Sequence, residues 1–322
     1  MRSVDYNQWH LPVLLNEVIE HLSIRPDGLY IDLTVGGGGH SAKILQKLGS
    51  GGRLLAADRD PEALAVSSER LKCIETKAAF DVVEAKFSEF PSWLDQEDYG
   101  RVDGLLADLG VSSYQLDAVE RGFSYLNDGP LDMRMNPSQK ESAADLIANL
   151  RESDLIALLR LYGEEQYAYS IAKSIVAKRD KAPITTTGEL ADIVAHAVPS
   201  HARREGNPAR KTFQAVRMAV NHEQEELSHL LQALPDVMAP KGRVAIISFH
   251  SLEDRMVKQA MKRWESPCNC PRDFPVCVCG KKPLGKCITS KPIIAGEAEC
   301  EGNRRARSAK LRVFEFGEVE EV

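Results

Sequence analysis

Long apolar runs are missing from this chain. No window approaches the ~20 apolar residues that a helix needs to cross a bilayer. Near the N-terminus, Glu17, Glu20, His21 and Arg25 interrupt any apolar core of an export signal. A membrane-spanning or secreted protein is therefore not expected, and the cytoplasm is the expected location. Cysteine is sparse as well. There are seven in 322 residues, an odd number, and most sit late in the chain. In a reducing compartment they read as thiols or metal ligands before they read as a disulfide framework. Net positive charge is also lacking. The formal charge is −6, which argues against a general nucleic-acid coat. Neither an internal repeat nor a long low-complexity segment is found.

What is present is ordinary for a folded chain, 43% apolar and 27% charged. At roughly 100–200 residues per domain, the length allows one large domain or two smaller ones. The cations are clustered. Arg255–Lys291 holds nine Lys or Arg against Glu265 and Asp273, and Arg304–Arg312 holds five with no acid. His201–Arg217 adds Arg203, Arg204, Arg210, Lys211 and Arg217 against Glu205 alone. Such clusters contact phosphates locally whatever the chain average, although a solvated basic surface has the same composition.

Strands and helices alternate through the first half. Leu29–Leu33, Arg53–Ala57, Phe80–Glu84 and Val102–Leu106 read as strands, the last closing at Asp108. Ser41–Leu48 and a segment from Pro61 to about Leu71 read as helices, the second capped by Asp60 with Pro61 at its first position. This order implies βαβ units and a mostly parallel sheet. From Ser142 to Val198 the period is helical. Ser153 is expected to cap Asp154–Leu161, and Thr186 with Glu189 forms a capping box. Pro199–Pro208 reads as a return linker. Helical spacing then runs from Phe213 to Pro235, followed by a buried strand at Val244–Phe249, a helix through Trp264 and a closing strand at Leu311–Phe316. The expected organisation is a discontinuous α/β domain, 1–135 with 213–322, interrupted by a helical insertion at 136–212.

The segment Thr34–His40 (TVGGGGH) joins the first strand to the first helix. Glycine there lets backbone approach a ligand closely. Alone it is a weak signal, because tight turns and dinucleotide pockets use glycine too. Asp32 on the preceding strand and Asp58 at the end of the next one sharpen it. Asp58 stands where an acid meets ribose hydroxyls in a doubly wound sheet. An acid before the glycines is more typical of S-adenosylmethionine enzymes than of nicotinamide dehydrogenases. Asp108 closes the fourth strand beside the expected switch point.

Whole phrases of the chain go further. They are His10–Leu15 (HLPVLL), Tyr30–Thr34 (YIDLT), Gly38–Ser41, Asp58–Pro61 (DRDP), Asp108–Ser113 (DLGVSS), Arg121–Ser124 and Gly129–Met135 (GPLDMRM). Later come Pro208–Arg210, Thr212–Arg217 (TFQAVR), Ser248–Arg255 (SFHSLEDR) and Arg305–Ser308 (RARS). In that order and at that extent the chain resembles the ribosomal RNA small subunit methyltransferase H family, also called MraW. The resemblance implies a Rossmann-like S-adenosylmethionine-dependent methyltransferase sheet with an inserted all-helical domain that recognises substrate. It implies N4-methylation of one cytidine in the decoding region of 16S ribosomal RNA, with the small ribosomal subunit as partner. Cofactor contacts carry over to Gly38, Gly39, His40, Asp58, Phe87, Asp108 and Gln115. The chain departs from the family at Tyr114 and Arg304, where proline is usual.

Methyl transfer from a sulfonium is an in-line displacement, and the exocyclic amine of cytosine is conjugated. An acceptor on that amine would orient it, so Asp108 is the candidate, with His250 in Ser248–Arg255 as the second. For His250, the reading that it caps the helix stands beside the chemical one. Arg203, Arg204, Arg210, Arg305 and Arg307 are candidates for RNA phosphates. No metal is expected in the catalytic machinery. Cys268, Cys270, Cys277 and Cys279 form two C-x-C pairs, tighter than the usual zinc spacing, so both a zinc site and a free-thiol loop stay open. Rival readings are a methyltransferase of another RNA or DNA site, a nicotinamide-dependent oxidoreductase, and a non-enzymatic ribosome-assembly factor.

Overall fold

The computed structural model describes residues 12–97, 99–204, 206–271 and 278–317. The chain forms two compact units, residues 1–110 with 225–322, and residues 111–224. The first begins with α1 (Leu15–Leu22), β1 (Leu29–Asp32), α2 (Gly39–Leu45) and β2 (Arg53–Asp58). It continues with α3 (Pro61–Lys72), β3 (Ala79–Glu84), α4 (Phe90–Gln96) and β4 (Val102–Asp108). The second unit holds α5 (Ser113–Asp117), α6 (Ala143–Asn149), α7 (Glu152–Gly163) and α8 (Ala168–Arg179). It also holds α9 (Thr187–Ala197), α10 (Ser200–Arg204) and α11 (Ala209–Val220). The helix α12 (Glu223–Val237) returns the chain to the first unit. There β5 (Met238–Ser248), α13 (Ser251–Glu265), β6 (Gly285–Cys287), α14 (Glu297–Gly302) and β7 (Lys310–Phe316) complete it.

The sheet has seven strands in the order β3-β2-β1-β4-β5-β7-β6. β1 to β5 run parallel, β7 is antiparallel to β5, and β6 is antiparallel to β7. The chain winds outward from β1 through β2 to β3, then returns to place β4 on the other side of β1. That reversal makes the carboxyl ends of β1 and β4 the topological switch point, where open α/β sheets bind their ligands.

The alternation of side chains across the strands builds a core on each face. Ile31, Leu55, Leu105, Val244 and Phe314 face one side, against Leu230 and Leu234 of α12 and Trp264 of α13. Tyr30, Leu54, Leu106, Ala245 and Val313 face the other, against Val18 of α1 and Ile44 of α2. Both faces are covered, so these strands read as nearly continuous apolar runs. Asp60 caps α3 as expected, its carboxylate accepting from Glu62 N–H at 3.1 Å, with Pro61 in the first turn.

The helical unit has its own core, in which Leu155, Leu159, Ile171, Leu190 and Phe213 meet. Phe123, Leu131, Met133 and Met135 join the same core. The units therefore divide after Gly110 and after Gln224, outside the 136–212 span expected from helical period. The Gly129–Met135 phrase works as a clasp inside this unit. Gly129 N–H is bonded to Thr187 Oγ1 at 3.0 Å, and Arg121 donates to the carbonyls of Arg134 and Met135 at 3.1 and 2.8 Å.

Three local expectations are corrected. α7 starts at Glu152 with Arg151 at its N-cap, so Ser153 sits inside the first turn instead of capping it. Residues 199–208 include a short helix, α10, rather than being linker throughout. The span from Phe213 to Pro235 is two helices, broken at Asn221 and His222. Asn221 is buried and donates to Met133 O at 2.7 Å, while its Oδ1 accepts from Met135 N–H at 2.8 Å. That clamp stops α11, and His222 turns with φ of 52°. Pro235 lies within the last turn of α12. Among the described residues, no helix is long and apolar enough to cross a membrane.

Candidate functional site

The loop after β1 is shaped by two glycines in left-handed backbone, Gly36 at φ 47° and Gly38 at φ 74°. A Cβ added at Gly36 would find nothing nearer than Thr34 O at 3.9 Å. Glycine is needed there for its backbone conformation, and the space above it is open to a ligand. The loop is held from three sides. Val35 N–H donates to Ala57 O at 2.9 Å, Gly36 N–H donates to Asp58 Oδ2 at 2.9 Å, and the Arg70 guanidinium on α3 donates to Gly37 O at 2.9 Å.

Asp32 faces inward and is 1% exposed. It accepts from Ser41 Oγ at 2.7 Å and from Thr34 N–H at 3.1 Å. Its carboxylate therefore organises the loop from beneath. Asp58 accepts from Gly36 N–H and, at 3.0 Å, from Asp60 N–H. Burial raises the pKa of both acids to about 6, against the opposing effect of these hydrogen bonds.

Thr34 joins the two strand ends at the switch point. Its Oγ1 accepts from Asp108 N–H at 2.7 Å and lies 3.5 Å from Asp32 Oδ1, to which it donates. Leu109 N–H donates to Ile247 O at 2.9 Å, and Gly110 turns the chain at φ 89°. The segment after β3 starts with Ala85 N–H on Asp58 O at 3.1 Å. Phe87 is half-buried there and packs on the core. The next residue, Ser88, is fixed by the buried Glu226 of α12, which accepts from its N–H at 2.9 Å and its Oγ at 3.1 Å.

Gly38, Gly39, His40, Asp58, Phe87 and Asp108 thus gather at the carboxyl ends of β1 to β4 in one unit. The His40 side chain is buried, its Nε2 3.0 Å from Val13 O, so it ties α2 to the N-terminal segment. Gln115 lies in the helical unit. It is buried in α5, where its Oε1 accepts from Ser112 N–H at 3.0 Å and its own N–H donates to Ser112 Oγ at 3.2 Å. Tyr114 sits inside this short helix, which accommodates the residue that replaces proline.

His250 is the N-cap of α13. Its Nδ1 accepts from Glu253 N–H at 3.4 Å, its Nε2 is 3.1 Å from Glu253 Oε1, and Glu253 Oε2 accepts from Phe249 N–H at 2.9 Å. Asp254 pairs with Arg312 of β7 at 2.7 Å. The Ser248–Arg255 phrase accordingly builds a helix start and fastens it to the sheet. Arg203, Arg204 and Arg210 are exposed in the helical unit. In the α/β unit Arg307 is exposed and Arg305 half-buried, both on the turn Arg304–Ser308. The loop after α13 brings Cys268, Cys270 and Cys279 together, while Cys277 lies outside the described residues.

The sequence reading missed the roles of Thr34, Arg70 and Glu226. It also missed the bond from Ser41 to Asp32, although Ser41, in the first turn of the next helix, carried a signal. Arg70 and Glu226 carried none, since their partners are far away along the chain.

With this loop, these acids and this strand order in place, the profile of the MraW methylase family matches residues 7–317. The chain belongs to that family. Ribosomal RNA small subunit methyltransferase H of Clostridium botulinum is 49% identical over 94% of this chain and 97% of its own. The proteins of that name from Carboxydothermus hydrogenoformans and Symbiobacterium thermophilum are 48% and 49% identical, over 95% and 94% of this chain and 97% and 95% of theirs. Among solved structures, an rRNA methylase from Streptococcus thermophilus aligns over 95% of this chain and 93% of its own. Its identity of 11% and TM-score of 0.37 are too low to bear on the site.

Proposed function

We propose that this methylase transfers a methyl group from S-adenosylmethionine to N4 of one cytidine in the decoding region of small-subunit ribosomal RNA. The observation that carries the reading is the gathering of the glycine loop, Asp58 and Asp108 around the switch point, within a chain that the MraW methylase profile matches over residues 7–317. The residues present fit the cofactor. The open space above Gly36 admits a ligand against backbone. Each Asp58 oxygen takes one backbone N–H and keeps lone-pair capacity for a ribose hydroxyl. Phe87 offers a half-buried ring for the adenine. When bound, S-adenosylmethionine supplies a methyl group on a sulfonium, open to in-line displacement.

The remaining work falls to the chain. Amine and methyl must be held ~3–3.5 Å apart and in line. Asp108 is positioned by Thr34 and accepts a hydrogen bond from the exocyclic amine, which orients its lone pair. The target base must be unstacked to arrive there. The helical unit serves as the substrate-recognition part, and Arg203, Arg204, Arg210, Arg305 and Arg307 take RNA phosphates.

The test uses small subunits and naked ribosomal RNA from a strain lacking the protein. Labelled methyl should enter the subunits, and nucleotide mapping should find it on N4 of a single cytidine. Methylation elsewhere, or none, refutes the assignment.

A further inference from the structure

The Sγ atoms of Cys268, Cys270 and Cys279 all lie within 4.8 Å of one another. Cys268 is exposed, and Cys270 and Cys279 are half-buried. All three sit in the loop that runs from α13 to β6. Both ends of that loop are fastened. Leu284 N–H donates to Trp264 O at 2.8 Å, and Cys287 N–H donates to Glu265 Oε1 at 2.8 Å. Trp264 in turn packs on Phe314 and Phe316, with ring centroids 5.3 and 5.4 Å apart.

Among the described residues of the loop, two apolar side chains do not bury. Val278 is 72% exposed and Leu284 42%. The thiols themselves supply little, since S–H is a weak donor and sulfur a weak acceptor. A soft divalent cation bound by all three sulfurs would cross-link the two described parts of the loop. With Zn–S at about 2.3 Å, the sulfurs of a tetrahedral site stand about 3.8 Å apart, inside the observed spacing. Val278 N–H also donates to Cys270 Sγ at 3.4 Å. Lys281 and Lys282, both exposed, follow directly and offset the negative charge of a thiolate cluster.

We propose that Cys268, Cys270 and Cys279 bind one zinc ion that clips the loop between α13 and β6. Each thiol releases its proton to solvent as its Zn–S bond forms, with no change of oxidation state. Three thiolates leave one tetrahedral position for water or a further donor. The ion acts on the loop.

The full chain, purified under reducing conditions from zinc-supplemented cells, should carry about one zinc per molecule. The double variant Cys268→Ser/Cys279→Ser should lose it, and Cys73→Ser should keep it. Cobalt(II) added to zinc-stripped wild-type protein should give the sulfur-to-metal charge-transfer band and strong d–d bands of a tetrahedral thiolate site. That readout needs no activity and no folded variant. Absence of both zinc and the cobalt bands in wild-type protein overturns the proposal. So does metal retained by a double variant whose circular dichroism is native, or iron with inorganic sulfide in place of zinc.

Discussion

Each oxygen of the Asp58 carboxylate already takes one backbone N–H, from Gly36 and from Asp60. Replacing one oxygen by an amide nitrogen sets a donor against a donor. Asp58→Asn therefore costs a loop bond and a ribose contact together. Hydrogen bonds to a charged group contribute ~1.5–3 kcal/mol, so affinity for S-adenosylmethionine should fall about ten- to a hundred-fold, as read by calorimetric titration. An unchanged affinity removes Asp58 from the pocket. Protonation acts on the same residue. Burial holds Asp32 and Asp58 at about 6, above the ordinary carboxylate range. Between that ordinary range and about 6 the folded chain binds more protons than the unfolded one. These acids therefore stabilise the fold at low pH, and that contribution is lost as pH rises through about 6. Ribose hydroxyls require the charged form. Cofactor affinity should then tighten as pH rises through about 6, and an affinity that is flat across that range contradicts the assignment.

At the scale of the element, α13 starts with a histidine where serine, threonine, asparagine or aspartate is usual. His250 and Glu253 satisfy the first turn between them. Asparagine can cap in place of histidine, and alanine cannot. His250→Ala should lower stability by ~1 kcal/mol, read as a drop in Tm, and His250→Asn should recover most of it. If His250 only caps, His250→Asn also keeps kcat. Loss of kcat in a stable His250→Asn variant would place the imidazole on the substrate. Such caps were legible in the sequence, as Asp60 with Pro61 and Thr186 with Glu189 show, because a cap and its partner lie within one turn. Ser153 shows the limit. A capping residue type inside a helical pattern does not reveal which residue leaves helical backbone first.

For the whole molecule, the basic residues divide between the two units. Arg203, Arg204 and Arg210 belong to the helical unit, and Arg305 and Arg307 to the α/β unit. Phosphate contacts release counterions, so binding to small subunits should weaken steeply with salt. Exchanging Arg203, Arg204 and Arg210 for glutamine together should weaken binding and flatten that slope by up to about three phosphate contacts, with affinity for S-adenosylmethionine unchanged. A filter-binding series over salt concentration measures both. An unaltered slope removes these three residues from the RNA surface.

The succession of β1 to β5 and β7 along the chain, the loop after β1, the acids that close β1, β2 and β4, and the existence of a helical module were all determined by the sequence alone. Their signals are local: a period of two or 3.6, a glycine in a turn, an acid at a strand end. Only the tertiary structure decided how these parts are held. Thr34 reaches Asp108 across 74 positions, Arg70 reaches Gly37 across 33, and Glu226 reaches Ser88 across 138. The division after Gly110 depends on which core Phe123 and Met133 enter, and helical period does not encode that choice. The cysteine spacing likewise left metal and free thiol open, and only the folded loop shows that three of the sulfurs come together. Periodicity records what a residue does to its neighbours in the chain, whereas these contacts exist only once the chain has packed.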